Sequence, residues 1–265
     1  MIDIIYGLEW YNWVKRYLRL KGRRALPLHK PRKEIIHVLM NGPSLNQTLH
    51  YVSDMPGKIM MVNHALSHLN DMGTIRPNYY CAVDPAFLDL KRESVATLYK
   101  NLQTYGEKLH FFSVDMILNN LKLDNANIIF HRIYSNPCPE YRGKREKYLL
   151  RNNMGSFYFQ GVIIAALYVA LQLGFKSIYL HGADQDTLKI LSVNNKNQLI
   201  YQIENMYYYQ VNRVTHIDQG NLRDEFFNEY RLFRELYNIQ KYANDLDAKI
   251  INMSQESWID CFEKF

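Results

Sequence analysis

Short apolar runs that end in polar or turn residues recur along the chain. Runs of four to eight apolar residues bounded by Gly, Pro, Asn or Asp are typical of strands buried on both faces of a parallel sheet. The pattern predicts seven such strands, at Ile35–Met40, Lys58–Val62, Tyr79–Val83, Leu109–Val114, Asn127–Phe130, Ser177–His181 and Ala248–Asn252.

Helical periodicity separates several of these runs. The clearest helix is predicted over Tyr158–Leu173, where small apolar residues form one face and Gly174 ends it. The strand at Ser177–His181 follows directly, and a helix followed by a strand across a short Gly-containing loop is half of a parallel α/β unit. A last helix is predicted over Arg223–Ala243. The expected fold is therefore α/β, a Rossmann-like, doubly wound and mostly parallel sheet.

Three segments depart from the alternation of strands and helices. Residues 135–153 are rich in charge and are expected to form loops, and residues 185–222 are rich in Asn, Gln and Tyr and are expected to be an inserted lid. Residues 1–33 form a separate basic segment. Residues 34–265 are then expected to be one Rossmann-like domain that contains the lid.

The basic segment changes the picture of possible partners. The net charge is +6, and residues 1–33 hold nine Lys or Arg against only Asp3 and Glu9, interleaved with apolar and aromatic residues. This is typical of a basic amphipathic helix that lies on anionic lipid, and equally of a terminal helix packed on the body with a solvated basic face. No nucleic-acid motif accompanies the charge, so nucleic acid is not a predicted partner.

Composition also indicates the compartment. No segment has the run of about 20 apolar residues that spans a bilayer. Three cysteines, Cys81, Cys138 and Cys261, lack the paired spacing of a zinc or redox site. A reduced, cytoplasmic protein is expected. Of the two alternatives for residues 1–33, the lipid-binding helix would add peripheral contact to the inner membrane face.

Polar residues end several of the predicted strands. In open α/β sheets ligands bind at the carboxyl ends of the strands, so these positions are candidates for a shared nucleotide site. They are Asn41, Gly42, Asn63, Asp84, Gly182 and Asp184. Gly42 would let the backbone approach a phosphate, and Ser44 would donate a hydroxyl, or simply cap the helix that follows. The turn matches neither the dinucleotide fingerprint nor the P-loop, which disfavours a dehydrogenase or a P-loop kinase.

Four segments, in this order along the chain, form a recognisable set: Asn41–Leu45, Val62–Leu66, Gly73–Pro85 and Leu173–Asp184. The set resembles the motility accessory factor family, less closely the bacterial lipooligosaccharide sialyltransferases, and in the same motifs an archaeal pterin diphosphokinase. The resemblance covers roughly residues 34–184. It implies that residues 34–265 form a Rossmann-like, nucleotide-sugar-binding domain of a glycosyltransferase that moves a nonulosonic acid from its CMP-activated form to a cell-surface glycan or protein.

The resemblance also implies roles for individual residues. Asn41, Gly42 and Ser44 would hold the nucleotide phosphate and ribose, and Asn63 and Asp84 would meet the nucleotide or the donor sugar. The sialyltransferases usually have an amide at the position of Asp84. The remaining implied donor contacts are Pro43, Gly155, Ser156, Gly182 and Asp184.

The implied catalytic groups lie in the lid. The sialyltransferases use a lid histidine as general base and lid tyrosines on the departing phosphate, and His216 with Tyr207 and Tyr208 correspond best. An imidazole titrates near neutrality and can accept the proton of the acceptor hydroxyl. Phenol hydroxyls can stabilise a leaving phosphate by hydrogen bonding. His181 and Asp184 are alternative proton acceptors.

The pair Asp184 and Asp186 leaves metal chemistry open. Two carboxylates at this spacing can share Mg²⁺ or Mn²⁺ on a diphosphate, whereas a CMP leaving group carries one phosphate and needs less neutralisation. We expect no metal and no cofactor beyond the CMP-sugar substrate. The alternatives are a metal-dependent transferase of a nucleoside diphosphate sugar, an ATP-dependent diphosphokinase and a non-enzymatic nucleotide-binding or scaffold protein, and a homo-oligomer is a further candidate assembly.

Overall fold

The computed structural model describes residues 31–68, 75–138, 140–203, 214–218 and 220–265. Eleven strands lie in these ranges: β1 Arg32–Leu39, β2 Lys58–Val62, β3 Tyr79–Ala82, β4 Leu109–Ser113, β5 Ile128–Arg132, β6 Phe175–His181, β7 Leu191–Val193, β8 Leu199–Ile203, β9 Val214–Asp218, β10 Lys249–Asn252 and β11 Glu263–Lys264.

Helices connect the strands. The α-helices are α1 Leu45–Thr48, α2 His50–Asp54, α3 Glu93–Gln103, α4 Asp115–Leu118, α5 Lys144–Arg151, α6 Val162–Gln172 and α7 Leu222–Asp245. Short 3₁₀ helices lie at Asn63–His68, Pro85–Leu88 and Thr187–Ile190. Within the described ranges, no helix is long and apolar enough to cross a membrane.

Eight strands form one sheet in the order β11-β10-β6-β1-β2-β3-β4-β5, and all of its neighbouring strands run parallel. The chain moves outward from β1 to β5 and then returns to β6 on the other side of β1. The direction of winding therefore reverses between β1 and β6, which is the topological switch point of a doubly wound sheet. The predicted α/β, Rossmann-like fold is confirmed.

Side chains alternate between two cores because a strand presents successive residues to opposite faces. Met60 and Val62 pack with α6 and α7 on one face, and Met61 packs with α3 on the other. Helix α6 lies between the sheet and α7, so it is buried on nearly all sides. Its sequence is accordingly apolar all round and not only on one face. Gly174, with φ of +88°, follows it and ends it as predicted.

Several predicted boundaries shift. Strand β1 begins at Arg32, inside the basic stretch, and α6 begins at Val162 after an extended Gly161. The segment expected to be loop contains α5, because Leu149 and Leu150 are buried while the charged residues of that helix face outward. The two-residue edge strand β11 was not predicted.

The segment predicted as a lid contains a small separate sheet. Strands β7, β8 and β9 pair antiparallel, in that order. Its action as a lid stays a prediction, as does the division into residues 1–33 and 34–265, since residues 1–30 and 204–213 lie outside the described ranges.

Candidate functional site

The turn after β1 lies at the switch point, against the loop that follows β6. Met40 N–H donates to the His181 carbonyl at 2.8 Å, and Gly42 N–H donates to the Gly182 carbonyl at 2.9 Å. These bonds continue the β1–β6 ladder past both strand ends. The two candidate turns therefore form one unit at the carboxyl edge of the sheet.

Gly42 is required by a close approach within the protein. A Cβ at this position would lie 2.2 Å from Asp184 Oδ2 and 2.5 Å from the Gly182 carbonyl oxygen. Gly182 itself has φ of +65°, a left-handed backbone that favours glycine. Both glycines therefore serve the joint between the turns, and the approach of a phosphate to Gly42 stays a prediction.

Asp184 is buried and binds the turn. Its Oδ2 accepts a hydrogen bond from Ser44 N–H at 3.1 Å. Asp186, two residues on, instead pairs with Lys189 at 3.4 Å between Oδ2 and Nζ. The two carboxylates of the Asp-x-Asp pair thus bind different partners. Among the residues that the structure describes, no three His, Cys, Asp or Glu side chains lie close enough to hold a metal ion.

The prediction that Ser44 caps the following helix is wrong. Its backbone is already helical, with φ of −71° and ψ of −7°, and its side chain makes no capping bond to α1. The hydroxyl instead lies 2.6 Å from Ser254 Oγ. A capping side chain normally extends from a non-helical residue, and the helical backbone here directs the hydroxyl elsewhere. Pro43, beside it, is exposed in the same turn.

The loop after β10 completes this corner, and sequence reasoning missed it. Ser254 Oγ accepts from Ala183 N–H at 3.1 Å, and Ser257 Oγ donates to the Ala183 carbonyl at 2.6 Å. Trp258 N–H donates to the Asp184 carbonyl at 2.9 Å. The signal was present, because Asn252 ends a predicted strand in a polar residue just as Asn41 and Asn63 do.

Two asparagines have unused acceptors. Asn41 follows β1 and Asn63 follows the neighbouring β2, and the Oδ1 of each is buried without a hydrogen-bond partner among the described residues. Asn63 also has φ of +43°, an uncommon backbone for a residue with a side chain. Buried polar atoms are normally bonded, so these two amides are the strongest sign of a ligand at this edge.

Asp84 has a local structural role. Its Oδ1 accepts from Ala86 N–H at 2.8 Å and caps the 3₁₀ helix Pro85–Leu88. The side chain is exposed. A contact between Asp84 and the donor stays a prediction.

Gly155 and Ser156 are buried in internal contacts. Ser156 Oγ accepts from Asn136 N–H at 2.9 Å and donates to the Phe157 carbonyl at 2.9 Å. The Gly155 carbonyl accepts from the Tyr168 hydroxyl at 3.1 Å. The hydroxyl of Ser156 therefore has a protein partner for its proton, and its predicted contact with the donor has no direct support.

The predicted catalytic groups are only partly placed. His216 lies in β9, opposite Tyr201 of β8 in the antiparallel register. The side chain of His216, and all of Tyr207 and Tyr208, lie outside what the structure describes. Their roles stay predictions.

The alternative base, His181, is fully buried. His37 Nε2 lies 2.7 Å from the Met55 carbonyl, which can only accept, so His37 Nδ1 must accept from His181 Nε2–H at 3.0 Å. Burial, and then the neighbouring His37, lower the pKa of His181 to about 3. His181 is therefore a neutral core residue that is hydrogen-bonded to His37. Because it is fully buried, the hydroxyl of a sugar acceptor could not reach it without displacing packed residues.

Comparisons with known proteins give low-identity structural similarities. No protein-family model and no curated protein matches the sequence. The sialyltransferase CstII from Campylobacter jejuni, in complex with CMP, is 14% identical, with 88% of this chain and 85% of that chain covered and a TM-score of 0.47. The monofunctional α-2,3-sialyltransferase Cst-I from Campylobacter jejuni is 13% identical, with 90% and 83% covered and a TM-score of 0.42. At these identities the neighbours do not assign a function to this chain.

Proposed function

We propose that this protein is a glycosyltransferase that moves a sialic-acid-like sugar from a CMP-activated donor to a cell-surface glycan or protein. The observation that carries the proposal is the pair of unused amide oxygens of Asn41 and Asn63. They lie at the ends of two neighbouring parallel strands, beside the switch point where such sheets bind nucleotides. The ordered motifs around them resemble those of CMP-dependent transferases.

The amides suit the donor chemically. Amide oxygens accept hydrogen bonds from ribose hydroxyls or from the exocyclic amino group of cytosine, and the amide N–H₂ groups can donate to phosphate. Neither group adds negative charge near the phosphate. The contacts of Gly42 with Gly182 and of Ser44 with Asp184 fix the backbone of the turn that holds Asn41.

The proposed reaction needs one proton acceptor. The acceptor hydroxyl attacks the anomeric carbon, the bond from that carbon to the phosphate oxygen breaks, and CMP leaves with the bonding electrons. His216 takes the hydroxyl proton, and Tyr207 and Tyr208 stabilise the departing phosphate by hydrogen bonding.

Calorimetric titration with CMP, UDP, GDP and ATP tests the donor class. We expect preference for CMP, and we expect Asn41→Ala and Asn63→Ala each to weaken CMP binding by about tenfold, the effect of one lost hydrogen bond of roughly 1.4 kcal/mol. The exposed Asn120 provides the matched control, Asn120→Ala, which should bind CMP as the native protein does. Preference for ATP, or no binding of any cytidine nucleotide, would overturn the proposal.

A kinetic test addresses the base. His216→Ala should lower kcat by about 10²-fold or more with little change in the donor KM, because general-base catalysis is lost while donor binding is kept. His50→Ala, at an exposed histidine, should leave both constants unchanged. An unchanged kcat in His216→Ala would remove this residue from the mechanism.

A further inference from the structure

Trp258 is a large aromatic side chain exposed between two buried residues. The residue is 39% exposed, whereas Ser257 is 6% and Ile259 is 0% exposed. An indole normally buries most of its apolar surface on folding. The flanking burial means that the loop is packed, so the exposure of Trp258 is a fixed feature of the surface.

Hydrogen bonds hold the backbone on both sides of this indole. Trp258 N–H donates to the Asp184 carbonyl at 2.9 Å. Ser257 Oγ donates to the Ala183 carbonyl at 2.6 Å and accepts from Ile259 N–H at 3.1 Å. The carboxylate of the same Asp184 accepts a hydrogen bond from Ser44 N–H. Asp184 therefore links the backbone of Trp258 to the turn that contains Asn41.

A cation lies against the ring. Lys189 Nζ is 5.7 Å from the centroid of the indole, and Asp186 pairs with the same ammonium at 3.4 Å. The attraction of an ammonium to an indole face stabilises one ring orientation. The ion pair with Asp186 orients Lys189 in turn.

We propose that the indole of Trp258 is the platform on which the nucleobase of the donor stacks. The inference rests on the proposed function and adds to it a base-binding element contributed by the C-terminal loop. Aromatic stacking accepts the π-face of any base and is worth about 1–3 kcal/mol per base. In this arrangement the strand-end amides bind the polar groups of the nucleotide, and Trp258 binds its flat apolar face.

Binding measurements with two ligands test the platform. Trp258→Ala should raise the Kd for CMP by about 5–150-fold, the loss that stacking energies of this size imply, and Trp258→Phe should keep most of the affinity. Ribose 5-phosphate lacks the base, so its Kd should be the same in the native protein and in Trp258→Ala. Tyr230→Ala, at another exposed aromatic residue, is the matched control and should bind CMP normally.

Fluorescence gives an independent readout. The other two tryptophans are Trp10 and Trp13, so a Trp10→Phe, Trp13→Phe variant reports on Trp258 alone. CMP should quench this emission with the Kd found by calorimetry, because a stacked base contacts the ring.

The outcomes separate this inference from the proposed function. Unchanged CMP affinity in a folded Trp258→Ala variant, or equal weakening of CMP and ribose 5-phosphate, would overturn the platform and leave the CMP-dependent transferase intact. Absence of cytidine nucleotide binding by the native protein would overturn the proposed function and the platform with it. If Trp258→Ala unfolds, Trp258→Phe and the quenching experiment decide: no quenching in a protein that binds CMP rejects stacking.

Discussion

The backbone N–H of Ser44 donates a 3.1 Å hydrogen bond to Oδ2 of Asp184, across 140 positions of sequence. The bond joins the turn after β1 to the loop after β6 at the point where the sheet reverses its winding. Because Asp184 is buried there, the carboxylate is part of the framework of the candidate site as well as a candidate ligand contact.

Because of this bond, we expect substitutions of Asp184 to destabilise the protein when they remove the hydrogen-bond acceptor, and less when they remove only the negative charge. Asp184→Ala should lower the free energy of unfolding by about 1–3 kcal/mol, because Ser44 N–H loses its buried partner. Asp184→Asn should keep more of it, since an amide oxygen still accepts. Urea denaturation measures both.

Asp186→Ala is the matched control for Asp184. Its ion pair with Lys189 is partly exposed, so its loss should cost less than about 1 kcal/mol. Equal losses for Asp184→Ala and Asp186→Ala would contradict the structural role assigned to Asp184.

A methyl group at Gly42 should disrupt the joint between the two turns. Its Cβ would lie 2.2 Å from Asp184 Oδ2 and 2.5 Å from a backbone oxygen, so neighbouring backbone must move. Gly42→Ala should therefore lower the free energy of unfolding by about 1–3 kcal/mol, the usual cost of overpacking. At Gly106 an added Cβ has no atom within 4 Å, and Gly106→Ala should be close to neutral. A similar result for the two variants in thermal unfolding would argue against the close approach.

The buried histidine pair should make stability depend on pH. The folded pKa of His181, about 3, lies below its ordinary value of 6.5. Between these values the unfolded chain binds a proton that the folded chain does not, so stability is fully present above pH 6.5 and falls as the pH is lowered toward 3. The slope reaches about 1.4 kcal/mol per pH unit for one proton.

Denaturation midpoints between pH 4 and 8 measure this effect. His181→Leu should reduce the slope, although His37, whose pKa burial also lowers, retains part of it. His50→Gln, at an exposed position, should reduce the slope less than His181→Leu does, because the charge of His50 is the smallest of the causes that lower the pKa of His181. Identical slopes in the native protein and in His181→Leu would show that the pair is not the source.

Ser254 should act as a positioning residue for the site. Ser254→Ala leaves the buried Ala183 N–H without its acceptor and the half-buried Ser44 Oγ without its partner. A loss of about 1–3 kcal/mol in unfolding free energy and weaker CMP binding are expected. Ser53→Ala, exposed in α2, should change neither. If Ser254→Ala binds CMP as tightly as the native protein does, Ser254 stabilises the fold but does not position the site.

The parallel α/β fold and the ends of most strands of the large sheet follow from local patterns in the sequence. Parallel strands that are covered on both faces are near-continuously apolar, so Lys58–Val62 and Tyr79–Ala82 are visible as runs. A polar residue soon after each run marks the carboxyl edge of the sheet, where the candidate site lies. Helix α5 was missed for the complementary reason, because its few buried leucines lie among many charges. The roles of His216 and the lid tyrosines stay predictions from the resemblance.

The way in which the strand ends are joined depends on contacts between distant parts of the chain. Local patterns report which face of an element is buried, but Ser44, Asp184 and Ser254 meet through a sheet order in which β1, β6 and β10 are neighbours although they are far apart in the chain. That packing explains the requirement for Gly42, the helical backbone of Ser44 and the His37–His181 pair. Each of them depends on atoms that come together only when β1 and β6 pair at the switch point.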